Sequence, residues 1–242
     1  MKAIAIDLGG TNIKAAVVDQ EQGIIEQTST PTHADLGRDY LLDRIASTVA
    51  ELTKADGAIG IGMGLPGMVN REQTTIYYAP NLPGWEEVNA AEEITKRTGL
   101  PCRIENDANI AALGSLHFGV GQKHDDFIIL TLGTGVGGGI IVNRQLFKGS
   151  RGMAGELGHV IIDYHGPLSN SVTRGTIEAY LGQRFLSRFA SDMIMQHPEN
   201  PLYKKFSKDF DKLEPVDLTQ EANNGNQLAI EILAKTGQRL GY

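Results

Sequence analysis

Cysteine is nearly absent. Cys102 stands alone in 242 residues, which excludes an internal disulfide and any multi-cysteine zinc site and makes a reducing compartment the simpler setting. Positive charge is scarce too: 22 Lys and Arg face 29 Asp and Glu, for a formal charge of −7. No basic block stands out, so a nucleic-acid or anionic-membrane partner has no electrostatic basis. The chain opens without a basic stretch and long apolar core; the expectation is neither signal peptide nor transmembrane helix, hence a cytoplasmic protein. The pattern G-x-x-x-x-G-K-[ST] is missing as well, which removes a P-loop. What is present, 41% apolar and 21% charged residues with 29 Gly and 9 Pro, is a globular composition sized for one large or two small lobes.

Short apolar runs alternate with glycine turns and helical patterns. Residues 2–6 read as a buried strand closed by Asp7-Leu8-Gly9-Gly10, and residues 13–18 as a return strand, so the turn makes a hairpin. Leu41, Ile45, Val49 and Leu52 fall on one helical face, followed by a strand at 58–63 and the turn Gly64-Leu65-Pro66-Gly67. Residues 74–78 are β-branched and aromatic, 80–84 form a loop, and Val88, Ala91 and Ile94 mark a helix closed by Gly99. Pro101 begins the next strand; Asn106-Asp107 caps a helix holding Ile110, Leu113 and His117. Residues 145–149 read as a short strand, and 176–189 and 226–240 as single helices.

Displaced by 124 residues, Ile4-Ala5-Ile6-Asp7-Leu8-Gly9-Gly10-Thr11 lies over Ile128-Ile129-Leu130-Thr131-Leu132-Gly133-Thr134-Gly135, and 16–19 over 140–143. Both copies read strand, glycine turn, strand, which implies duplication into two related lobes that face each other. Residues 133–138 satisfy G-x-G-x-x-G, but a dinucleotide site needs a helix next and here Ile140-Ile141-Val142 is a strand, so an NAD fold is excluded. Glycine lets backbone N–H groups approach phosphate oxygens, and five glycines between 133 and 139 exceed what a tight hairpin requires. Asp7, at a strand end, would hold a water of Mg²⁺ beside those oxygens, or be a plain turn former.

Asp7 to Asn12, Asn106-Asp107, Leu132 to Gly139 and Gly155-Glu156-Leu157-Gly158-His159 together resemble the ROK family of bacterial glucokinases and related sugar kinases. The resemblance spans essentially the whole chain. It implies an α/β, two-lobed actin-like ATPase fold, shared with hexokinase and Hsp70, with a duplicated βββαβα core. The lobes would be a small N-terminal one at 1–112 and a larger one at 113–242, the second lacking its C-terminal part. By the same resemblance ATP and Mg²⁺ are the cofactors, with phosphates on Asp7, Gly9, Gly10, Thr11 and Asn12 and on Thr131, Gly133, Thr134, Gly135 and Gly137. Asp107 resembles the catalytic Asp that accepts a sugar hydroxyl's proton, although a helix N-cap is an equally ordinary role for it. Asn106, Glu156, His159 and Glu178 match sugar contacts, and Gly67 and Asn81 would complete that wall. Without the family, Glu156 and His159 read as a surface pair, Glu178 as a solvated helix residue and Asn81 as a turn residue.

Two departures qualify the transfer. Many ROK proteins bind zinc through a histidine and the pattern C-x-C-G-x-x-G-C, whereas residues 169–176 read Ser-Asn-Ser-Val-Thr-Arg-Gly-Thr; hydroxyls are poor zinc ligands, and no zinc is expected. The family also continues past a helix like that at 230–240 into segments contacting adenosine. The leading reading is an ATP-dependent hexose or amino-sugar kinase acting at the 6-hydroxyl, with a small sugar as partner and the family's dimers suggesting a second copy. A sugar-binding pseudokinase or regulator is the alternative; the repressors of the family carry an N-terminal helix-turn-helix for which a strand beginning at residue 2 leaves no room.

Overall fold

The computed structural model describes residues 1–52 and 57–241. Strands β1 (Lys2–Leu8), β2 (Asn12–Asp19) and β3 (Gly23–Pro31) form an antiparallel meander. Helix α1 (Arg38–Leu52) leads to β4 (Ala58–Leu65), and the short pair β5 (Met68–Val69) and β6 (Ile76–Tyr78) precedes α2 (Ala90–Thr98) and β7 (Cys102–Asn106). The sheet order is β3-β2-β1-β4-β7, with β4 parallel to both β1 and β7. Period-two alternation sends Ile4, Ile6 and Leu8 inward opposite Val17, Ala15 and Ile13. These meet Leu41, Leu42, Ile45, Val49 and Leu52 of α1 and Ile94 of α2 in one core that also holds Trp85. Helix α2 shows both of its end signals: Asn89 accepts the Glu92 N–H, and Gly99 takes the left-handed conformation at φ 72°.

Helix α3 (Asp107–Phe118) follows β7 directly, and then β8 (Phe127–Leu132), β9 (Val136–Val142) and β10 (Gln145–Leu146) form a second sheet in the order β10-β9-β8. That order repeats β3-β2-β1 of the first sheet. An irregular stretch over 147–176 follows, and then five helices: α4 (Ile177–Leu181), α5 (Gln183–Met195), α6 (Pro201–Phe206), α7 (Pro215–Asn223) and α8 (Gln227–Leu240). Two compact units emerge. One comprises Met1–Ile129 with Gly139–Gly155, the other Leu130–Gly138 with the chain from Glu156 onward. The second has its own core, in which Leu186, Ala190 and Ile194 of α5 meet Leu202, Leu218, Leu228 and Ile232.

Several expectations need correction. Ala112 and Leu116 of α3 pack with Ile141, Phe127 and Ile129 inside the first unit. The buried face of α3 is Ala108, Asn109, Ala112 and Leu116, while Ile110 and His117 are exposed. Gly139 explains this: a Cβ there would lie 3.0 Å from Ala108 O and 2.6 Å from Ala112 Cβ, so close approach of small residues, and not apolar bulk, sets the contact. The single helix expected over 176–189 is broken at Gly182, whose φ −60° and ψ 142° are extended. The strand expected over 145–149 keeps only Gln145–Leu146, and the third strand of the βββαβα core is β3, a polar edge strand that no local pattern marks.

Candidate active site

The parallel strands β1, β4 and β7 end along one edge of their sheet, where open α/β sheets bind ligands. Register decides what arrives there. Asp7 lies beside Gly64, and Leu65 beside Asn106, so Asp7, the turn at Gly67 and Asn106-Asp107 share that edge of the first unit. The hairpin tip between β1 and β2 is braced: Gly9 N–H donates to Asn12 O at 2.9 Å, and Thr32 N–H to Thr11 O at 2.9 Å. The buried Thr32 hydroxyl also donates to Gly9 O at 2.7 Å. A Cβ on Gly9 would come within 3.1 Å of Asn12 O, and one on Gly10 within 3.7 Å of Asn81 Cβ, which places the Asn81 loop against the tip. Gly10, Thr11 and Asn12 stay exposed, as does Asp7, 3.7 Å from Lys14 Nζ.

Gly67 has φ 129°, and a side chain there would press on Ala79 Cα at 2.9 Å. Its carbonyl accepts from Asn106 Nδ2 at 3.1 Å, while Asn106 Oδ1 accepts the Ala108 and Asn109 N–H groups at 2.9 and 3.1 Å. The cap of α3 is therefore Asn106, and Asp107 is released from that duty as the first helical residue, its Oδ1 accepting the Ala108 N–H at 2.8 Å. Partial removal of water from the Asp107 carboxylate raises its pKa, aided by the charge of Asp7 and opposed by the Ala108 bond. An exposed carboxylate with elevated basicity at the carboxyl end of a parallel sheet is suited to taking a proton.

In the second unit, the tip of the β8–β9 hairpin follows the half-buried Thr131. Gly133 N–H donates to Gly135 O at 3.0 Å, and Gly133 O accepts the Gln183 N–H at 2.9 Å. Gln183 begins α5, so a helix N-terminus with its positive dipole end adjoins the glycines. Exposed Thr134 lines a groove of about 760 Å³ with Gln183, Arg184, Ser187 and Arg188. Gly137 lies within β9. Glu178 of α4 stands against this hairpin: its Oε2 accepts the Val136 N–H at 3.3 Å, and a Cβ on Gly135 would collide with the same carboxylate.

Gly158 abuts Val136 O with no room for a Cβ, which fixes the 3-10 turn Leu157–His159. Glu156 and His159 meet on that turn, with His159 Nε2 3.6 Å from Glu156 Oε2. On the other side of the ring, His159 Nδ1 lies 3.4 Å from Ser171 Oγ, itself 2.8 Å from Ser169 Oγ. Hydroxyls therefore stand beside His159 where the family pattern carries thiols, and among the described residues no three His, Cys, Asp or Glu side chains converge. Sequence reasoning passed over Thr32, Glu105, Lys148 and Gln183. Their roles depend on contacts to distant backbone and carboxylate atoms, and no local motif announces them.

A crystal structure of a ROK family glucokinase from Streptomyces griseus, in complex with glucose and AMPPNP, superposes with a TM-score of 0.84 at 34% identity, covering 100% of this chain and 77% of that one. The fold is accordingly the actin-like ATPase fold of the sugar kinases. The ROK family's sequence profile matches residues 3–242, and this chain belongs to the ROK family, as a sugar kinase. The glucokinase of Thermotoga maritima is 34% identical over 232 residues, 96% of this chain and 73% of the relative. The xylose repressor of Bacillus subtilis is 31% identical over 191 residues, 76% of this chain and 48% of that protein. Among the described residues no helix is long and apolar enough to cross a membrane.

Proposed function

We propose that the protein transfers the γ-phosphoryl group of ATP to the 6-hydroxyl of glucose or a related hexose or amino sugar, with Asp107 as general base. The observation that carries this reading is the meeting of Asp7, Gly67, Asn106 and a basic, exposed Asp107 at the carboxyl ends of β1, β4 and β7. The glucose and AMPPNP in the Streptomyces griseus glucokinase support the choice of sugar class and nucleotide.

In this reading the sugar 6-hydroxyl donates its proton to Asp107 as its oxygen attacks the γ-phosphorus, and ADP leaves. Asn106 holds Asp107 at the head of α3, and its second Nδ2 hydrogen is left for a sugar hydroxyl. Gly67, Asn81, Glu156, His159 and Glu178 supply the remaining donors and acceptors that select the epimer. The tip Gly9, Gly10, Thr11 and Asn12, and the tip Thr131, Gly133, Thr134, Gly135 and Gly137, each bind phosphate oxygens. Asp7 fits a hydrated Mg²⁺, being an exposed hard-oxygen ligand beside a tightly packed backbone tip, where a Cβ at Gly9 would lie 3.1 Å from Asn12 O. Bound Mg²⁺ would neutralise phosphate charge. We further propose 1–112 and 113–242 as the two duplicated lobes.

The test is ADP release with Mg-ATP across a hexose panel. Release that depends on a hexose supports the kinase. Sugar binding without turnover would favour a sugar-responsive regulator, the reading prompted by the xylose repressor relative.

A further inference from the structure

Glu105 is a charged side chain where charge is expensive: it is 4% exposed, near the end of the edge strand β7, immediately before Asn106-Asp107. Four donors converge on it. Lys148 Nζ lies 2.5 Å from Oε2 and Gln73 Nε2 donates to the same oxygen at 3.0 Å; the Asn106 N–H and Asn109 Nδ2 each donate to Oε1 at 3.0 Å. Its full complement of acceptor sites is used. The partners come from three separate stretches of the first unit: α3 and its cap, the turn at 70–75, and the segment after β10.

Two of those stretches show what it takes to reach Glu105. Gln73 holds a left-handed φ of 63°, a conformation that costs a non-glycine residue about 1 kcal/mol, while its carbonyl accepts the Ile104 N–H at 2.9 Å. Lys148 is itself only 13% exposed in its side chain and also donates to Arg71 O at 3.4 Å. Four residues on, Gly152 lies so close to β5 that a Cβ would be 2.5 Å from Val69 O. A buried ion pair is seldom a net source of stability beside apolar packing of equal size, and strain that persists beside a site points to a role there. Glu105 grips Asn106 and Asn109 directly, and Asn106 in turn holds the first turn of α3 and Gly67.

We propose that the buried Glu105–Lys148 pair is a positioning device: Lys148 neutralises Glu105 so that its carboxylate fixes Asn106, and through it Asp107, at the head of α3. Its catalytic consequence rests on the kinase reading; its geometric claim does not. Lys148→Met keeps the aliphatic volume and strands the Glu105 charge. Glu105→Gln with Lys148→Met restores neutrality, since the amide oxygen that replaces the carboxylate still accepts from Asn106 and Asn109, and Gln73 can turn its own amide to face the new NH₂.

The experiment compares wild type, K148M and E105Q/K148M by steady-state kinetics with glucose and Mg-ATP and by amide hydrogen exchange over residues 105–109. K148M is expected to lose roughly 10- to 100-fold in kcat, the scale of an ångström-level misplacement, with KM for ATP within about twofold; E105Q/K148M is expected to regain most of it. Exchange at Asn106 to Asn109 should quicken at least about tenfold in K148M and return in the double variant. If wild type shows no sugar-dependent ADP release, the kinase reading falls, and exchange alone decides the positioning claim. Unchanged kcat and exchange in K148M would overturn it, as would a double variant as impaired as the single. If K148M fails to fold, the neutral double variant still decides: near-wild-type exchange sustains the proposal and lost protection at Asn106 ends it.

Discussion

At the residue scale, Asp107 combines two demands that oppose each other. As the base of the proposed transfer it should be ionised and underhydrated, and that state is costly in a folded protein. Its pKa is raised by desolvation and by Asp7, so above the raised value the folded state carries an ionised carboxylate that the unfolded chain hydrates better. Asp107→Asn should therefore keep or raise the midpoint of thermal unfolding at pH 7. That gain should vanish as pH falls below the ordinary 3.8 of an aspartate, where both states are neutral. The same variant should lose roughly 10²- to 10⁴-fold in kcat while retaining glucose binding by calorimetry. Cys102 illustrates the opposite extreme: buried in β7, its thiol is pushed up to about 12 by desolvation. Iodoacetamide at pH 8 should modify it only after denaturation; ready alkylation of the folded protein would contradict the packing of β7.

At the element scale, the β1–β2 tip depends on a residue outside it. Thr32 follows β3 directly and donates its hydroxyl to Gly9 O. Thr32→Val keeps shape and burial but removes that donor, and should cost about 1–3 kcal/mol in urea unfolding and raise KM for ATP more than KM for glucose. Equal effects on both would detach the tip from nucleotide binding. Elements with strong contrast were legible in the sequence: β1 and β2 by alternation, α1 by its apolar stripe, α2 by Asn89 and Gly99. Strand β3 was not, because an edge strand carrying Glu26, Gln27, Thr28, Ser29 and Thr30 is polar in a way that blocks edge pairing and hides the strand signal. The break between α4 and α5 escaped notice because helical periodicity runs through Gly182, whose extended conformation is tied to the Gln183 contact with Gly133.

At the scale of the whole molecule, the repeat visible in the sequence has a structural counterpart in β10-β9-β8 echoing β3-β2-β1. Its glycines differ in use. The first tip is held by Thr32 and faces Asn81, whereas the second adjoins the N-terminus of α5 and the carboxylate of Glu178. Motif reading named residues at both tips but could not see their supports, since Glu178, Gln183 and Thr32 lie tens of residues from the glycines they touch. Likewise Asn106 and Asp107 were legible as a pair, while the assignment of the cap to Asn106 required the hydrogen bonds. In the proposed reaction this architecture moves phosphate to a sugar oxygen. Phosphorus NMR of the protein with Mg-ATP, with and without glucose, tests it most directly. Glucose 6-phosphate and ADP are expected in equal amounts, and ADP only when the sugar is present; inorganic phosphate released at the same rate without sugar would contradict phosphoryl transfer to the sugar.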